Sequence, residues 1–197
     1  MSNRDGHDPE IDLLTFKLVE ALTERGETVA FCESLTAGLG AATLATVPGA
    51  SAVLRGGMVT YATDLKRDLA GVDADLLEEE GPVAAETARQ MALGAREKCS
   101  ASWGISFTGV AGPDQQDGHP VGEVFVGFVG PGTDNRAVAL RAEAAGKAGR
   151  FAIASGAKEP IPVLSGNRAE IRNAAVFFAF EQLLASVQGR GSLGSDR

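Results

Sequence analysis

Two short apolar runs bracket a helix of small residues, and that order limits the possible folds more than any other feature of the chain. Thr28 to Phe31 reads as a buried strand, Ala37 to about Thr46 as a helix, and Gly57 to Tyr61 as a second strand after the Pro48-Gly49-Ala50-Ser51 turn. Between the first strand and the helix lies a polar knot, Glu33-Ser34-Leu35-Thr36, and Lys66 follows the second strand. Hydroxyls, a carboxylate and an amine therefore collect at strand ends with little apolar bulk between them. Buried polar groups need partners or a chemical role.

The rest of the chain continues the alternation. Ile11, Leu14, Leu18, Ala21 and Leu22 recur at helical spacing, with Gly26 where a C-terminal cap belongs. Ser34 or Thr36 is placed to cap the helix that follows the first strand. Short helices are expected over Asp64–Ala70 and Ala74–Glu80, and a longer one over Ala85–Lys98. Ser102 to Phe107 reads as a strand running into Thr108-Gly109. The Gly-, Pro- and Asp-rich loop Val110–Pro120 comes next. Gly122–Val129 and Ala137–Arg141, joined by a turn at Pro131–Asn135, form a hairpin. Residues 142–166 lose periodicity and read as a long loop with a strand at Ile161–Leu164; a final helix spans Arg168–Val187. Helices alternating with strands, then a hairpin, predict an α/β fold: a three-layer α/β/α sandwich on a mixed β-sheet, in one domain. Residues 1–9 read as a mobile segment, 10–188 as the domain and 189–197 as a tail.

Composition narrows the function classes. A length of 197 residues suits one domain with a proper core, and a net charge of -8 argues against nucleic acid as a partner. A small phosphorylated ligand is still open, because one or two cations can hold it. The start MSNRDGHDPEIDL lacks a signal-peptide pattern, and no window nears the ~18 apolar residues of a membrane span. No membrane partner and a cytoplasmic location are expected. Cys32 and Cys99 are too few and too far apart for a metal cage or a disulfide framework, so no metal is expected.

Ser34, Thr36, Ser51, Tyr61, Lys66 and Thr108 each follow or end a strand, where open α/β sheets place ligands. Serine needs a base at neutral pH, and a desolvated lysine can serve. The two histidines, His7 and His119, lie in the tail and the Gly-rich loop, so a Ser-His-Asp triad is hard to build and Ser-Lys chemistry gains. Plainer readings compete: Ser34 and Thr36 as helix caps, Lys66 as a solvated amine, Thr108 as a turn hydroxyl, Cys32 as packing. Glu33 is either a cap accessory or the orienter of a neighbouring amine. Gly38 and Gly40 begin like a dinucleotide fingerprint, but Thr43 stands at its third position. Arg168 opens the last helix as a surface cation or as a phosphate clamp, guanidinium and helix N-terminus then acting on one anion.

Taken together, the motifs Ala30-Phe31-Cys32-Glu33-Ser34-Leu35-Thr36-Ala37-Gly38, Val47-Pro48-Gly49-Ala50-Ser51 and Gly57-Met58-Val59-Thr60-Tyr61 with Lys66 resemble the CinA C-terminal domain family. Thr108-Gly109-Val110-Ala111-Gly112-Pro113-Asp114, Pro120-Val121-Gly122-Glu123 and Ser165-Gly166-Asn167-Arg168 continue the pattern. The resemblance covers about residues 10–188, with the motifs in order. It implies a stand-alone nicotinamide mononucleotide amidohydrolase of the PncC-like kind, using a serine–lysine arrangement and no cofactor. Carried over by position, Ser34, Ser51, Tyr61 and Lys66 become the catalytic set, with Lys66 as base and either serine as nucleophile. Glu33, Thr36, Thr108, Gly109 and Arg168 become the substrate-binding set, Arg168 meeting the 5′-phosphate.

The family's usual Glu-Ser-Cys-Thr-Gly-Gly reads Glu33-Ser34-Leu35-Thr36-Ala37-Gly38 here, so Ala37 is expected to crowd a ligand approaching the backbone. The 142–166 stretch is longer than the family's usual connection. Both features motivate the alternative of a non-catalytic binding domain that kept the fold. A homo-oligomer such as a dimer is expected, because domains of this size with an exposed hairpin often pair.

Overall fold

The computed structural model describes residues 9–133, 136–142, 149–152 and 160–189. The expectations for residues 1–8, for the tail beyond 189 and for much of 142–166 lie outside the described residues.

Five strands form one open mixed sheet. They are β1 (Val29–Glu33), β2 (Leu54–Val59), β3 (Trp103–Gly109), β4 (Val124–Val129) and β5 (Val138–Arg141), in the order β2-β1-β3-β4-β5. β1 runs parallel to both β2 and β3, whereas β4 is antiparallel to β3 and to β5. The helices are α1 (Pro9–Arg25), α2 (Leu39–Ala45), α3 (Thr63–Asp68), α4 (Ala74–Glu79), α5 (Ala85–Cys99) and α6 (Arg168–Val187).

Strand periodicity of two sorts the layers. Val29 and Phe31 point into a core shared with α1 and α6, while Ala30 and Cys32 point to the opposite side, against Met91 and Ala95 of α5. β3 and β4 repeat the split. Trp103, Ile105, Phe107, Val124, Val126 and Phe128 fill the first core, where Phe31 stacks on Phe107 at 6.4 Å between ring centroids. On the α5 side several strand positions are small, among them Ala30, Cys32, Gly104, Ser106 and Gly127. A Cβ on Gly104 would lie 2.1 Å from the Ala92 carbonyl, and one on Gly127 would lie 2.2 Å from that of Ala88. Glycine there lets the helix press against the sheet, and the Ser106 hydroxyl donates to the Ala88 carbonyl at 2.6 Å. The expected three-layer α/β/α sandwich on a mixed sheet is the observed architecture, in a single domain.

Differences from the sequence reading have local causes. β2 starts at Leu54, not Gly57, because the pairing with β1 continues across an irregularity between Val29 and Ala30; Gly56 absorbs it at φ 152°. α2 starts at Leu39, not Ala37, because Ala37 (φ 51°) and Gly38 (φ 95°) are both left-handed. The 142–166 stretch is not only a loop with one strand. Alongside β7 (Ile161–Leu164) it contains β6 (Gly149–Ala152), and the two pair antiparallel as a second small sheet.

Candidate active site

The turn leaving β1 is built around one carboxylate. Glu33 is buried, and its oxygens accept the backbone N–H groups of Gly38 at 2.8 Å, Gly40 at 3.1 Å and Ala41 at 2.9 Å. It therefore satisfies the otherwise unpaired donors at the start of α2. Neither Ser34 nor Thr36 caps that helix, contrary to the expectation from sequence. Both amides that a Gly-x-Gly phosphate loop would offer, at Gly38 and Gly40, are spent on Glu33, which removes the dinucleotide reading. From the other side, Arg172 of α6 donates to the carbonyls of Leu35 at 3.0 Å and Thr36 at 2.7 Å.

Lys66, on α3, is 1% exposed, a rare burial for a lysine. Its Nζ lies 3.0 Å from Ser34 Oγ, donates to the Thr60 carbonyl at 2.9 Å and makes a long contact of 3.5 Å with the Tyr61 carbonyl. Each of these partners is neutral. Burial lowers the Lys66 pKa below its ordinary 10.5, since a cation stripped of water without a carboxylate beside it is disfavoured. The arrangement suits the free base. Nζ donates to Ser34 Oγ here; as the free base, with two N–H bonds on the two carbonyls, it would turn its lone pair to the serine hydroxyl. Behind it Cys32 lies 3.3 Å from the Thr60 hydroxyl, and burial pushes its thiol up to about 11, so it stays protonated near neutrality.

Ser34 and Lys66 line one end of a cleft enclosing about 540 Å³, its open mouth included. Thr108 and Gly109, at the end of β3, line it too, as do Tyr61 and Arg168 at the rim. The Thr108 hydroxyl donates to the Pro82 carbonyl, so toward a ligand it can only accept. Arg168 donates to the Tyr61 hydroxyl at 2.6 Å and to the Gly112 carbonyl at 2.7 Å, leaving other guanidinium N–H groups for a ligand. The N-terminus of α6 does not share that task. Asn167 and Glu170 close it as a capping box, so the expected joint action of guanidinium and helix amides is reduced to the guanidinium.

Six of the nine residues singled out in the sequence thus meet at one cleft, at the C-terminal ends of β1, β2 and β3. Three do not. Ser51 sits in a 3-10 turn, Ala50–Ala52, just before β2, at the end of the sheet opposite to Ser34, because β1 and β2 are parallel. Glu33 faces the α2 amides instead of the cleft. Thr36 is fully buried outside the cleft lining, and its hydroxyl has no hydrogen-bond partner among the described residues. Ala37 also lies outside the cleft lining.

Asp114 and Gln116 were missed. They reach the cleft from a loop without periodicity, although the family motif starting at Thr108 ends in Asp114. Arg172 was missed too, although its position four residues after Arg168 puts both on one helix face. Among the described residues there is no cluster of three His, Cys, Asp or Glu side chains able to hold a metal, and no helix long and apolar enough to cross a membrane.

The sequence and the fold have counterparts in known proteins. A family model for the CinA C-terminal domain matches residues 12–159. A CinA-like protein from Frankia casuarinae is 47% identical over 130 residues, which is 66% of this chain and 30% of that protein. The chain spans about three tenths of the length of the curated relatives it matches. Among solved structures, the competence/damage inducible protein CihA from Agrobacterium tumefaciens superposes with a TM-score of 0.75 at 31% identity, over 94% of this chain and 99% of that one. A competence-damaged protein (CinA) superfamily protein from Escherichia coli gives 0.73 at 26% identity, over 90% and 91%. A family match over more than half of the chain, joined to the same sheet across almost all of it, means that this protein belongs to the CinA C-terminal domain family.

Proposed function

We propose that the chain is an amidohydrolase that converts nicotinamide mononucleotide to nicotinic acid mononucleotide and ammonia. The observation carrying this reading is the buried Lys66 amine, paired with no carboxylate among the described residues, 3.0 Å from Ser34 Oγ inside a cleft. In the first step Ser34 Oγ attacks the carboxamide carbon while Lys66 takes the hydroxyl proton. The tetrahedral adduct then expels the amide nitrogen, which leaves as ammonia with the proton returned from Lys66. Water, deprotonated by the same amine, next attacks the acyl ester and frees the carboxylate and the Ser34 hydroxyl.

Thr108 supports an amide substrate in particular. Its proton is committed to Pro82, so its lone pairs accept from a carboxamide NH₂ but offer nothing to the product carboxylate. Arg168, steadied by Tyr61 and Gly112, is the cation for the 5′-phosphate at the rim. Tyr61 then acts as a rim partner of Arg168 and a backbone acceptor for Lys66 rather than as a proton carrier.

The test is ammonia release across a panel of pyridine nucleotides and simple amides, with Ser34→Ala and Lys66→Ala alongside. Turnover of the mononucleotide, abolished in both variants while they stay folded, is the expected result. Tight binding without turnover would replace this reading with a non-catalytic binding domain, and neither binding nor turnover would reject the substrate.

A further inference from the structure

Two guanidinium groups leave α6 one turn apart and go to different places. Arg168 reaches the rim of the cleft, whereas Arg172 passes behind the Ser34 turn and binds two consecutive carbonyls, those of Leu35 and Thr36. We propose that Arg172 is a positioning residue: it holds the Ser34 turn in register with Lys66 and so sets the rate of the chemical step without touching substrate. The inference rests on Ser34 being the nucleophile.

Arg172 is half-buried, does not line the cleft, and is in no ion pair among the described residues. Its hydrogen bonds go to backbone alone. A trans peptide directs its N–H opposite to its C=O, so fixing the Leu35 and Thr36 carbonyls also fixes the Thr36 and Ala37 amides. The Ala37 amide in turn donates to the Ser34 carbonyl at 3.0 Å. The segment needs such a hold, because two consecutive residues are left-handed and one of them, Ala37, is not glycine. Glu33 holds the far side of the turn through Gly38, Gly40 and Ala41. Between these clamps the Ser34 hydroxyl meets Lys66, and a displacement of about 1 Å in such a contact costs on the order of 10²-fold in rate.

The test compares Arg172→Met, which keeps the stem but loses the donors, with Arg172→Lys, which can still bind one carbonyl. Two readouts are taken on the full chain: hydrogen exchange at the Ser34, Ala37 and Gly38 amides, and kcat and KM for ammonia release. The expected result for Arg172→Met is at least tenfold faster exchange at those amides and a kcat lowered about 10- to 100-fold with KM within twofold. Arg172→Lys should recover part of both. Arg168→Gln should do the reverse, raising KM without changing exchange at the turn. Unchanged exchange in Arg172→Met overturns the proposal, and so does faster exchange with a wild-type kcat. If the wild-type chain releases no ammonia, the amidohydrolase reading fails instead, and the exchange measurement alone decides whether Arg172 holds the turn.

Discussion

Ser34 and Ser51 look alike in the sequence: each is a hydroxyl in a short turn next to a strand, within a motif of the same family. In the fold they part. Ser34 follows the C-terminal end of β1, and Ser51 precedes the N-terminal end of β2. Because the two strands are parallel, the length of β2, roughly 20 Å at about 3.3 Å per residue, separates them. Only Ser34 meets the lysine. Strand direction, which no local spacing encodes, sorts an apparent pair of nucleophiles into one site residue and one turn residue.

The sharpest way to break this comparison is to delete each hydroxyl. Ser34→Ala and Lys66→Ala should each lower kcat for ammonia release by at least about 10³-fold, whereas Ser51→Ala should stay within about twofold. An equal loss in Ser51→Ala would mean that a second copy of the chain brings its Ser51 to the cleft. Arg168→Gln should raise KM by about 10- to 100-fold, the worth of one charge-assisted contact, while leaving the Ser34–Lys66 pair intact.

The pH dependence separates the two turns in another way. Ammonia release should rise with pH along a limb set by Lys66, placed below the ordinary 10.5 because burial favours the free amine. Stability follows the same group. Between the lowered value and about 10.5 the unfolded chain binds the extra proton, so the Lys66 contribution to stability rises with pH across that window. Below the lowered value both states are protonated and the penalty of the buried cation is complete. Denaturant midpoints of wild type and Lys66→Met should therefore converge as pH rises; a constant gap would contradict a lowered Lys66.

The smallest effects concern the backbone. Ala37→Gly should stabilise the chain by about 0.5–1 kcal/mol by relieving a left-handed alanine, and Gly49→Ala, at φ 90° in the Ser51 turn, should destabilise it by about 1 kcal/mol. Thermal unfolding of the two variants gives both signs.

Much of the site was legible because its residues lie at strand ends, and strand ends can be read from apolar runs followed by Gly, Ser or Thr. That logic found Ser34, Tyr61, Lys66, Thr108 and Gly109. For Glu33 it left two roles open, and the fold chose the cap accessory over a substrate contact, because the carboxylate accepts backbone amides five to eight residues on. It failed for Asp114 and Gln116, which a loop delivers. At β2 it began the strand at Gly57, whereas hydrogen bonds to β1 carry it back across Gly56 to Leu54.

By itself the sequence determined the layers and the chemical inventory, because periodicity and residue type are local properties of the chain. Which groups meet was decided by tertiary structure. Parallel pairing sent Ser51 away from Lys66, and contacts across more than a hundred residues brought Arg168 to Tyr61 and Arg172 to the Ser34 turn. The lowered pKa of Lys66 was decided there as well, since only the packed fold removes water from that amine.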